Sequence, residues 1–153
     1  MSYAMLLGRK RAARKGDVVE FPGSNWQDRV AEALAAQPAA DEAAARARAI
    51  ALRDEIAKVD LAFMALEEFR FMEDARDAYA DEWLEWADQL DALAAQADGF
   101  VAEYDSILAT ATANGWTNVT DVFYEDTETP SDLARECRMN AALFRRFSAK
   151  APV

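Results

Sequence analysis

Residues 41–97 contain neither glycine nor proline, and their apolar side chains recur every three or four positions. The series runs Leu52, Ile56, Val59, Phe63, Leu66, Phe69, Met72, Ala75, Tyr79, Trp83, Trp86, Leu90, Leu93 and Ala97. Its mean step is about 3.5 residues, the period of a helix that packs along one stripe. Alanine fills many of the remaining places and has the highest helix propensity. The spacing therefore predicts one long amphipathic helix over about 41–97. Leu66, Phe69, Met72 and Ala75 follow one another at three-residue steps, so the stripe drifts there and predicts a bend or a change of partner. Leu61, Met64 and Phe71 lie off the stripe, which predicts burial on two sides in the middle.

Shorter helices are expected on either side. Ser24 with Gln27 forms a capping box for a helix over 24–36, which Pro38 helps to end. Asp98-Gly99 reads as the turn of a helical hairpin, followed by a helix over 99–113 that Asn114-Gly115 closes. Residues 116–128 read as irregular or briefly extended. Thr129-Pro130-Ser131-Asp132 opens a last helix over 130–147, with threonine at the N-cap, proline in the first turn and an acid near the positive end. The fold class is all-α: a helical hairpin or bundle built on one long helix.

Charge divides the chain unequally. Residues 1–16 hold Arg9, Lys10, Arg11, Arg14 and Lys15 and no acid, whereas the whole chain carries a net charge of −11. The expected organisation is a basic N-terminal arm, 1–16, on a single acidic helical domain, 17–153. Asp74, Asp77, Asp81, Glu85 and Asp88 recur at helical spacing opposite the aromatic stripe. Such a row can imitate a phosphate backbone or dock on a basic partner, and it can equally be a solvated helix face.

The composition argues against catalysis. There is no histidine, which removes the usual neutral-pH base and the commonest metal ligand. Cys137 is the single cysteine, sits on the apolar stripe of the last helix and has no histidine to activate it; it is read as a buried structural thiol. Glycine-rich phosphate loops, nucleophile elbows and calcium-loop spacings are absent. No cofactor, metal site or enzyme activity is expected. Trp83 and Trp86 with Phe69, Phe71 and Tyr79 are read as core packing, not as a base-stacking surface.

No stretch reaches the ~20 apolar residues of a membrane span. Met5-Leu6-Leu7 precedes the basic residues, the reverse of a signal peptide. A lone cysteine suits a reducing compartment, so the expected location is the cytoplasm or a phage-type particle. A helix spanning about 85 Å at ~1.5 Å per residue outruns a globule of about 40 Å. That mismatch favours a non-catalytic docking protein, a small component of a larger assembly such as a phage or mobile-element particle or a nucleoprotein complex. Its expected partners are proteins, reached through the long helix and an arm that orders on binding. Any nucleic-acid contact would come through residues 1–16. Two alternatives stand beside it: an acidic nucleic-acid mimic that inhibits a basic nucleic-acid-binding complex, and a self-associating coiled-coil scaffold.

Overall fold

The computed structural model describes residues 26–69, 71, 75, 77–124 and 128–153. Among the described residues, four helices follow one another: α1 (Trp26–Phe69), α2 (Ala80–Asn114), α3 (Thr117–Tyr124) and α4 (Pro130–Lys150). The all-α class holds, with the 44-residue α1 as the longest element. The chain divides into two compact units, residues 1–44 and 45–153. In the first, Val30 is buried and Pro38 lies inside α1, so the proline does not end the helix as expected. The candidate cap Ser24 lies outside the described residues.

The second unit is a bundle whose main helices alternate in direction. Arg48 of α1 meets Glu103 of α2, and Phe69 meets Trp86, so those helices run antiparallel. Likewise Asp98 of α2 meets Arg138 of α4, Asp88 meets Arg145, and Ser148 donates to the carbonyl of Ala80. The core follows the predicted stripe. Leu52, Ile56, Val59 and Phe63 of α1 are buried together with Trp83, Leu90 and Ile107 of α2 and Leu133, Cys137 and Phe144 of α4. Ala87, Ala94 and Ala97 on α2 and Ala134 and Ala141 on α4 are also buried, and small side chains at a helix contact let the axes approach.

Besides the continuation through Pro38, the helix boundaries differ from the sequence expectation in three further places. First, the span 41–97 is not one helix: α1 ends at Phe69 and α2 begins at Ala80. The break falls where the stripe stepped by three. Glu67 and Glu68 occupy the last turn of α1, where the helix dipole disfavours acids. Asp81 and Glu82 occupy the first turn of α2, where acids are favoured, and the Glu82 carboxylate accepts the Tyr79 N–H at 2.7 Å.

Second, Asp98-Gly99 is not a turn; α2 runs through it for 35 residues. The Asp98 carboxylate accepts hydrogen bonds from Arg138 of α4. That contact draws it away from the local backbone bonds with which aspartate usually opens a turn. Third, residues 117–124 are helical. Val119, Val122 and Phe123 all point into the core, and Phe123 packs on Tyr104 with ring centroids 4.5 Å apart. Burial on a three-then-one step outweighs the extended preference of valine and phenylalanine.

Two predicted caps are present. Gly115 closes α2 in the left-handed region at φ 68°, and Trp116 N–H returns to the carbonyl of Ala111 at 2.9 Å. Thr129 Oγ accepts the Asp132 N–H at 3.2 Å, with Pro130 in the first turn of α4. Among the described residues, no helix is long and apolar enough to cross a membrane.

Candidate functional site

Helix α2 carries eight acids and no base: Asp81, Glu82, Glu85, Asp88, Asp91, Asp98, Glu103 and Asp105. Its neighbours supply the opposite charge. Arg145 of α4 reaches Asp88 at 3.0 Å and Asp91 at 2.5 Å, Arg138 holds Asp98, and Arg48 of α1 stands 3.5 Å from Glu103. The hydrogen bond from Arg138 holds the Asp98 carboxyl below its usual range and raises the proton affinity of Arg138 in turn.

These contacts redistribute the predicted acidic row. Asp74 lies outside the described residues. Asp77 is exposed but sits in the short connection before α2, not on a helix with the others. Asp88 is exposed and engaged by Arg145. Asp81 and Glu85 are also exposed on α2, and Asp81 accepts the Glu82 N–H at 3.0 Å. The basic-arm residues Arg9, Lys10, Arg11, Arg14 and Lys15 all lie outside the described residues.

The aromatic group separates into two. Trp83 packs edge-on against Trp86, Phe144 and Phe147, with centroids 5.0–5.3 Å apart, and Phe69 lies 3.8 Å from Trp86. These rings join three helices and belong to the core. Phe71 and Tyr79 do not join it; they are 74% and 56% exposed.

Cys137 is buried, and burial pushes its thiol up to about 11. A thiol that stays protonated at neutral pH is a poor nucleophile. Among the described residues, no three Cys, Asp or Glu side chains converge in a way that could hold a metal ion. Two open depressions are lined by described residues. One lies among Ala75, Trp83, Phe147 and Lys150, the other among Thr112, Trp116, Thr120 and Tyr124. Each offers a single titratable side chain among those residues, so neither pairs an acid with a base.

The other exposed feature is apolar. Leu61 and Met64 of α1 are 66% and 44% exposed. At 100° per residue they lie far round the helix from Ile56, Val59 and Phe63, which face the core. The sequence marked them as off the stripe and predicted a second buried side; among the described residues both side chains are exposed. Spacing reveals a second apolar line but not whether the same chain covers it. Comparisons with protein-family models, curated proteins and solved structures give no match.

Proposed function

We propose that this chain is a non-catalytic docking protein, a component of a larger assembly that it enters through the outward side of α1. The observation that carries this reading is the exposure of Leu61 and Met64 on a helix whose opposite side already fills the core. Large apolar side chains grouped on one exposed helix face are a common mark of a protein interface. A photo-reactive residue introduced at Leu61 tests the reading in the cell of origin. The expected result is a discrete covalent adduct with a protein chain, lost when Met64 is also replaced by lysine. Absence of any adduct would overturn it.

A second reading is supported by the all-acid composition of α2: an acidic surface that docks on a basic nucleic-acid-binding protein. It predicts salt-sensitive binding that is abolished when Asp77, Asp81 and Glu85 are reversed to lysine. Adducts from position 85, with none from position 61, would favour this reading over the first.

A further inference from the structure

We infer that the depression between the end of α2 and the outer side of α3 is a binding site for one neutral sugar ring. Its lining includes no described residue of α1, so it goes beyond the docking reading and stands or falls separately from it. All the residues concerned lie within the unit 45–153.

The first argument is how the lining is built. Gly115 ends α2 in the left-handed region, and a Cβ there would meet nothing within 4 Å, so the backbone borders open space. Trp116 is fixed from both neighbouring helices. Its N–H returns to Ala111, and its carbonyl accepts the N–H groups of Val119 and Thr120 at 3.0 and 3.1 Å. Its side chain is half-buried and packs against the core, so it forms a wall whose position is set before any ligand arrives. Val119, Val122 and Phe123 take the inner side of α3 into the core. Thr117, Thr120 and Tyr124 follow at steps of three and four on another side, and Tyr124 is 71% exposed there.

The second argument is hydrogen bonding. Thr120 Oγ donates to the Thr117 carbonyl at 3.2 Å and keeps its lone pairs as acceptors. Among the described residues, the hydroxyls of Thr112 and Thr117 and the indole N–H of Trp116 have no hydrogen-bond partner. Three hydroxyls that both donate and accept, beside a fixed donor, match a ligand that is itself rich in hydroxyls. The aromatic side chains of Trp116 and Tyr124 supply the other half of the fit. The face of such a ring is electron-rich and takes the polarised C–H groups on one face of a sugar.

The third argument is charge and size. The lining holds no Asp, Glu, Lys or Arg. An anionic ligand such as a nucleotide finds no counter-charge there and meets a chain of net charge −11. The volume is about 250 Å³, below the ~300–1,000 Å³ of sites for drug-sized molecules, which suits a single ring.

The experiment follows the indole N–H signals of the ¹⁵N-labelled full chain by NMR during titration with D-glucose, D-galactose, N-acetyl-D-glucosamine, maltose and AMP. The four tryptophans, Trp26, Trp83, Trp86 and Trp116, give four such signals, and Trp116→Phe assigns the relevant one. At least one of the sugars is expected to move the Trp116 signal with a Kd of about 1–10 mM, the range of a small ring in an open site. Tyr124→Ala should weaken that binding by about fivefold and Thr117→Val by a similar factor. Both side chains are exposed, so helical circular dichroism should not change. Maltose binding more tightly than glucose would identify the end of a longer glycan as the source of the ring. Equal binding would identify the free sugar.

No movement of the Trp116 signal with any sugar up to about 50 mM overturns the inference. So does movement of the Trp83 signal in its place, or sugar binding that ignores both Tyr124→Ala and Thr117→Val. A response to AMP without a response to any sugar overturns the neutral-sugar assignment.

Discussion

Trp83 of α2 meets Phe144 of α4 edge to face, with ring centroids 5.1 Å apart and planes at 77°. Phe144 is fully buried, so its ring has no other surroundings than the core. Truncating such a ring removes its transfer free energy and leaves a cavity. Phe144→Ala is expected to lower unfolding stability by about 3–5 kcal/mol, measured by urea denaturation. A loss under about 1 kcal/mol would show that the contact is not central to the core.

Gly99 sits inside α2, and a methyl group added at its Cα would meet nothing within 4 Å. Glycine in a helix interior is destabilising relative to alanine through its greater unfolded-state freedom. Gly99→Ala is expected to stabilise the chain by about 0.5–1 kcal/mol in the same assay. If residues 98–99 formed a turn instead, the substitution would lower the denaturation midpoint.

Burial pushes the Cys137 thiol up to about 11. Between its ordinary value and that one, the unfolded chain loses the proton while the folded chain keeps it. The stability linked to this group is therefore full below the ordinary thiol range and is lost as pH rises through the folded value. Cys137→Ala should flatten the alkaline part of the stability profile, read from denaturation midpoints between pH 8 and 11. In the native chain, thiol reagents should modify Cys137 only as fast as the protein opens.

The charges of Glu136 on α4 and of Asp60 on α1 both act on Glu128, just before α4. Burial raises the proton affinity of Asp60, and burial followed by the charge of Glu136 raises that of Glu128. A carboxyl with a raised folded value favours the fold while protonated, and that contribution is lost as pH rises through the folded value. Asp60→Asn and Glu128→Gln are each expected to raise the thermal midpoint at pH 7. The advantage should shrink as pH falls through the carboxylate range, where the native acids become neutral too.

Much of the bundle was legible because its signals are local. Thr129-Pro130 and Asn114-Gly115 act as caps through backbone contacts three to five residues away, and the stripe from Leu52 to Phe63 follows directly from helical period. The rest depends on partners distant along the chain. Nothing near Gly99 tells that Arg138, forty residues on, will take up the Asp98 carboxylate. The break after Phe69 was visible only as a drift in the stripe, since no glycine or proline marks it. Of the candidate surfaces, the acidic row was legible as a pattern, but the engagement of Asp88 by Arg145 was not. Leu61 and Met64 were recognisable as off-stripe residues, and their exposure depended on what the bundle left uncovered.

The all-acid α2 has a consequence for how the molecule is made. During synthesis α2 emerges well before α4, and domains assemble as their parts emerge. At that stage its acids face one another without Arg138 and Arg145, and the face bearing Trp83, Leu90 and Ala94 has only α1 beside it. The counter-charges and the final apolar cover then arrive together on one 21-residue helix. The last helix thus works as a closing clasp, and a chain cut short before Pro130 would be left holding an open, self-repelling surface.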